Sequence, residues 1–175
     1  MNAAAPDYVA PVRGWRTWRV DDAGPAARLR SVVRGTAWPV AEPLIAACPE
    51  VALSHGAPWP GCHCGIHAAR DVSEAAYHAE LPSRAQEPLA IGLVSLWGRV
   101  VEGQAGWRAL AAYPESLYLP MRQPRERGVC ERLAWELSAY GAPVEVLDCT
   151  VRSVTQALRA ATPRAAHPLP APVPV

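Results

Sequence analysis

Phenylalanine is absent from this chain, and so is lysine. Without Phe, any aromatic core has to be assembled from seven Trp and five Tyr. Without Lys, all seventeen basic residues are Arg. Together with abundant Ala, Pro, Val and Gly, that is the composition of a GC-rich bacterial genome, so the preference for Arg is not read as selection for bidentate recognition. An excess of charge of one sign is also missing. The net charge of +1 provides no global field to steer the protein to nucleic acid or an anionic membrane. Long hydrophobic runs are lacking too. The longest, from Leu89 to Val101, is broken by Gly92, Ser95, Gly98 and Arg99 and is too short and polar to span a bilayer. The N-terminal MNAAAPDYVAPVRGW has no charged region followed by an apolar stretch, so no signal peptide is expected. No internal repeat is present. These absences predict a cytoplasmic protein, and in that compartment thiols stay reduced and clustered Cys favours metal over disulfide.

What is present fits one domain with tails. The 175 residues are half hydrophobic, enough for a sizeable core. Residues 1–11 are Ala/Pro-rich and expected to be disordered. Residues 163–175, PRAAHPLPAPVPV, carry five Pro and read as an extended, flexible tail. A single domain is expected over 12–162.

Within it, WRTWRV at 15–20 reads as a strand that pairs with RLRSVV at 28–33 across a turn at Asp21–Pro25. Pro39 and Pro43 forbid a regular central strand next, while Leu44 and Ile45 are expected to pack inward. Asp71-Val72-Ser73-Glu74 has the form of a capping box opening a helix to about Glu80. AIGLVSLWGRVV, EGQAG and WRALAAY over 90–113 read as a hairpin. Its first strand is apolar on both faces, with Gly98 marking a bulge or a close approach. A short strand at Ser116–Leu119 follows, then a helix over 124–140 with Val129, Leu133, Leu137 and Tyr140 at helical spacing. Gly141 and Pro143 stop that helix, and 144–148 is a strand. Strand–helix–strand over 116–148 predicts a right-handed crossover with parallel strands. A last helix over 150–161 places Val151, Val154 and Leu158 on one face. The fold class is therefore α+β: a mixed, mostly antiparallel sheet with two or three helices.

The chemistry concentrates in CPEVALSHGAPWPGCHCGIH, where Cys48, His55, Cys62, Cys64 and His67 follow one another as C-x6-H-x6-C-x-C-x2-H. Three thiols and two imidazoles in a Pro- and Gly-rich loop suit a soft or borderline cation, above all zinc. Cys62 and Cys64 are two apart, so in extended chain both sulfurs project to one side. Gly65 follows, where a positive φ or an amide aimed at sulfur would serve. Cys48 and His55 supply the other corners, with His67 competing for the fourth position. Three thiolates on a divalent cation leave a net −1, which Arg70 is placed to offset. The stretch lacks H-E-x-x-H and the paired H-x-E and P-C-x-x-C of nucleobase deaminases. Four ligands at hand argue for a filled, structural zinc site. The rival is a zinc-dependent hydrolase or deaminase-like enzyme with an open position, using Glu50 or His67.

Cys48, His55-Gly56-Ala57-Pro58 and Cys62-His63-Cys64-Gly65-Ile66-His67-Ala68, followed by Leu96-Trp97-Gly98-Arg99-Val100-Val101-Glu102 and Gly106-Trp107-Arg108-Ala109, resemble a family of small uncharacterised bacterial proteins from GC-rich genomes. That family has the form C…H-x-A-P…C-x-C-G-I-x-A with a W-G-R-V-V-E hairpin, and the resemblance covers roughly residues 44–120. It implies that the loop and the hairpin form one unit. It also supports Cys48, His55, Cys62 and Cys64 over His67, since the family carries other residues at that position. No activity comes with it.

Two further surfaces are candidates. RGWRTWR at 13–19 interleaves Arg13, Arg16 and Arg19 with Trp15 and Trp18, which would suit single-stranded nucleic acid, although neither face of the strand is uniformly basic. Trp107 and Arg108 beside the hairpin loop are typical interface anchors. The RQPRER segment at 122–127 is a solvated face, and Cys130 sits at a core-like helical position where a thiol is inert. The sequence thus predicts a zinc-stapled protein-interaction or adaptor module with an unidentified protein partner, no membrane association, and nucleic acid as the lesser alternative.

Overall fold

The computed structural model describes residues 10–50, 55–81 and 87–162. Within these bounds the chain is α+β, as the patterning indicates. Seven strands form one sheet, and three α-helices pack on it. The 1–11 and 163–175 segments fall outside the described residues, apart from Ala10 and Pro11.

Strand β1 (Val12–Asp21) pairs antiparallel with β2 (Arg28–Ser31), with Trp18 opposite Ser31 and Asp21 opposite Arg28. β3 is only Leu44–Ile45, as its flanking prolines require. β4 (Ile66–Ala69) leads into helix α1 (Val72–Glu80). The long hairpin is β5 (Leu89–Glu102) and β6 (Gly106–Met121). Ser116–Leu119 is the far end of β6 rather than a separate strand. The short alternating segments are continuous because register shifts at Leu93/Val94 and Trp97/Val100 let the ladder bend without ending. Gly98, at φ +72, sits in the second of these shifts.

β6 organises the sheet. One edge pairs with β5; the other is shared in sequence by β4 at Gly106–Ala109, β3 at Ala111–Ala112 and, in parallel, β7 (Val144–Asp148) at Leu117–Met121. β4 also meets β1 at Trp15 and Ala69, so the curled sheet closes on itself there. The parallel β6–β7 pair is joined by helix α2 (Arg127–Leu137), preceded by a 3₁₀ turn at Pro124–Glu126 and followed by another at Ser138–Tyr140. Gly141 ends it in the left-handed conformation at φ +70.

Two buried clusters flank the sheet. Trp18, Leu29, Trp38, Val94, Leu96, Leu117 and Leu119 pack with Leu133 and Leu137 from α2 and with Tyr140 from the 3₁₀ turn after it. Leu89, Ile91, Tyr118 and Leu147 pack with α1 and with α3 (Val154–Ala161) through Ala76, Val154 and Leu158. Alternation along β5 and β6 sends successive side chains to opposite clusters. The absence of Phe is met by Trp18 and Trp38, edge to face at 5.4 Å, and by Tyr140. Its hydroxyl accepts from the Leu29 amide at 3.1 Å and donates to the Trp38 carbonyl at 2.8 Å. Trp and Tyr bring polar atoms that need such partners inside a core.

Several expected inward residues are elsewhere. Ile45 is 58% exposed, because a two-residue strand at the sheet margin can turn only Leu44 inward. On α2 the buried stripe runs through Cys130 rather than Val129, which is 49% exposed. α3 starts at Val154, where Ser153 and Gln156 form the capping box. Val151 therefore lies outside the helix and is 87% exposed. At α1, Asp71 alone caps, accepting from the Ser73 amide at 2.8 Å.

Candidate metal centre

β6 brings the two ends of the Cys/His loop together. β3 pairs with Ala111 and Ala112, and the Ala46 amide extends the contact to the Leu110 carbonyl at 2.7 Å. Cys48 comes two residues later. From the other side, β4 pairs with β6 from Ile66, opposite Ala109, and Cys64 lies two residues before it. Adjacent registers on one strand thus set Cys48 and Cys64 side by side. Between them Trp59-Pro60-Gly61-Cys62 makes a turn closed by the Cys62 amide on the Trp59 carbonyl at 3.0 Å. His55 stacks on Trp59 at 5.6 Å between ring centroids.

The ligand atoms of Cys48, His55, Cys62 and Cys64 all lie within 4.8 Å of one another. The Cys48 and Cys62 sulfurs are 3.9 Å apart, and Cys64 Sγ is 3.4 Å from His55 Nε2. Cys64 is buried and the other three are half-buried. All three cysteines are free thiols. The group can hold a metal ion. Backbone amides point at the sulfurs: that of Cys64 is the main cause pulling the Cys62 thiol below its ordinary pKa, with the neighbouring thiols Cys64 and Cys48 and the His63 amide adding. Burial pushes Cys48 the other way, partly offset by the Glu50 amide.

Gly65 is required where it stands. Its φ is +115, and a Cβ there would lie 2.9 Å from Pro58 Cβ and 3.1 Å from Arg108 Cβ. Only Gly fits both that backbone and that packing.

His67 is not part of the cluster. β4 turns its exposed side chain away, and its Nε2 engages the His63 carbonyl at 2.9 Å. Burial is the main cause holding it below the usual imidazole range, with the charges of Arg16 and Arg108 contributing. Glu50 is exposed and stands outside the ligand group.

Arg70 does not serve the loop. It pairs with Glu102 at 2.7 Å and lies 4.5 Å over the Trp107 ring. The cation at the loop is Arg108, whose Nη1 donates to the carbonyls of Cys62, of Cys64 at 3.0 Å and of Trp59 at 3.3 Å. Arg99 adds a bond to the Gly56 carbonyl at 3.3 Å. Sequence reasoning placed Arg108 on an interaction surface. The available signal was its register: on β6 it faces His67 of β4, three residues past Cys64.

β1 does not present an Arg/Trp surface. Trp18 is fully buried, so no base can stack on it. Arg19 pairs with Glu87 at 3.4 Å, and Arg13 pairs with Glu115. Trp15 packs against the α1–α3 cluster and Trp107 against the other core. Arg16 points inward: its Nη1 donates to the His67 carbonyl, its Nη2 to Ser31 Oγ at 3.0 Å, and its Nε is buried without a partner.

No helix among the described residues is long and apolar enough to cross a membrane. Compared with family models, curated proteins and solved structures, the chain matches none, so fold and site rest on its own residues.

Proposed function

We propose that the protein is a small cytoplasmic binding module whose 48–64 loop is fixed by one structural zinc, held by Cys48, His55, Cys62 and Cys64, and that the loop forms part of the face offered to a protein partner. One observation carries the zinc reading. Tetrahedral zinc, with Zn–S about 2.3 Å and Zn–N about 2.0 Å, sets its ligand atoms roughly 3.5–3.8 Å apart. The sulfur–sulfur and sulfur–nitrogen separations of 3.9 and 3.4 Å match that spacing. The donor set of three thiolates and one imidazole is that of structural zinc sites. Amides directed at the sulfurs and the Arg108 guanidinium on the Cys62 and Cys64 carbonyls supply the outer hydrogen bonds that such sites use to spread thiolate charge.

A filled tetrahedron leaves no position for substrate or water, which favours a structural role over hydrolase or deaminase chemistry. Elemental mass spectrometry of protein grown without added metal tests the site, with about one zinc per chain expected. Cobalt substitution then tests closure. A closed site gives a tetrahedral thiolate spectrum that ignores added azide or cyanate. A spectrum that moves with those anions would replace the structural reading with an open, catalytic one.

A further inference from the structure

A cleft of about 840 Å³ lies beside the metal loop, between β1, β4, the segment after β2, and α1. Arg16 lines it, with Val33 and Arg34 on one side, Ile45 and His67 on another, and Glu74 from α1. We propose that this cleft binds a carboxylate monoanion carrying an apolar body, with the guanidinium of Arg16 as its anchor. This deepens the binding-module reading by naming the ligand chemistry, and it shares one wall with the loop.

Arg16 carries the argument. The side chain as a whole stays half-exposed while its Nε is shut off from solvent, which is the situation of a guanidinium on the floor of a cleft. Burial pulls its pKa below the usual guanidinium range to about 10, so it remains a cation at neutral pH. Among the described residues no acid pairs with it: both of its hydrogen-bond acceptors there are neutral, the His67 carbonyl and Ser31 Oγ. Trp38 contributes only its ring, 5.1 Å from the guanidinium carbon. Of five guanidinium N–H groups, these bonds use two, and the Nε–H is buried without an acceptor. A buried charge with no counter-charge is costly, and a bound carboxylate removes that cost by supplying charge and acceptors together.

The surroundings select the rest of the ligand. Arg34 adds a second cation at the cleft, and Glu74 is the one carboxylate among the described lining residues. Val33, 83% exposed, and Ile45, 58% exposed, offer apolar surface at the rim. Arg16 and Arg34 set against the one carboxylate of Glu74 leave a single net positive charge, which favours a carboxylate over a phosphate dianion.

The test uses full-length protein of measured zinc content, titrated with phenylacetate, with 2-phenylethanol as the neutral analogue, and with inorganic phosphate. The Arg16 Nε–H resonance and heat of binding are the readouts. Phenylacetate should bind saturably, about 10-fold tighter than the alcohol, a margin of one charge-assisted hydrogen bond, and should shift the Nε–H resonance. Arg16→Gln should abolish that margin, and Arg19→Gln should leave it unchanged. If Arg16→Gln fails to fold, Val33→Glu places a repelling charge at an exposed rim position and should weaken phenylacetate but not the alcohol. A short peptide ending in a free Phe carboxylate distinguishes the source: tighter binding than phenylacetate assigns a chain terminus, weaker binding a free acid. Equal binding of acid and alcohol, preference for phosphate, or no saturable binding on protein with one zinc per chain would overturn the inference while leaving the zinc reading intact. Loss of zinc with carboxylate binding retained would do the reverse.

Discussion

The loop from Cys48 to Cys64 and the crossover from Leu117 to Asp148 hang from opposite ends of the same strand, β6, yet different physics holds each in place. The crossover is backbone and bulk. Leu117–Met121 and Val144–Asp148 share a parallel ladder, and Leu117, Leu133 and Leu137 are buried against the sheet. The loop has little regular structure. Its carbonyls are gathered by Arg108 and Arg99, and its four ligand atoms converge on a point. In the crossover many weak contacts each contribute a little. In the described part of the loop a few hydrogen bonds from two Arg side chains and one Cys/His cluster take the place of a ladder.

That contrast is broken first at the ligands. Cys62→Ser should remove the metal and destabilise the protein by on the order of 4 kcal/mol, read as loss of zinc by elemental analysis and a lower melting temperature. Melting at the wild-type temperature with unchanged metal content would sink the site assignment. Leu117→Ala attacks the other region. A fully buried Leu between two strands should cost about 3 kcal/mol in urea denaturation, with zinc content unchanged. If zinc were lost too, the two regions would be one cooperative unit rather than two.

Arg108→Met sharpens the comparison at lower cost. It leaves three carbonyls without their charged donor, worth about 2 kcal/mol of loop stability. It should speed transfer of zinc to a chelator while leaving the fold's circular dichroism intact. The smallest effect belongs to Glu136. Its carboxylate is held below the usual range first by Arg132 and then by the Ala27 amide, which it accepts at 2.7 Å. A depressed folded pKa stabilises above the unfolded value, and that contribution disappears as pH falls through the folded one. Glu136→Gln should therefore lower the urea midpoint at pH 6 and match wild type near pH 3. A gap that persists at pH 3 would assign the effect to packing instead.

Burial sets the remaining thiols apart from this chemistry, Cys149 in the second cluster and Cys130 on α2. Cys149 is pushed up to about 11, and Cys130 upward as well, in both cases chiefly by burial.

Local chemistry was legible in the residues themselves. Period-two alternation over 90–101, the Pro124 start and Gly141 stop of the crossover helix, and the Cys/His spacing all act over a few residues, where backbone sterics and side-chain periodicity suffice. What pairs across long separations was not. The course of β6 through Pro114 depends on a bulge and on partners as far away in sequence as Leu44, which lies opposite Ala112. The choice of His55 over His67 follows from β4 pairing with β6, which turns His67 away from the cluster. The exchange of Arg70 for Arg108 beside the loop, and the burial of Trp18 and Arg16 from a strand that read as an exposed surface, follow from strand registers in the closed sheet. By itself the sequence determined the α+β class and the crowding of Cys and His into one short loop. Tertiary structure alone decided which face each strand presents, because a face is defined only once a neighbouring strand has fixed the register.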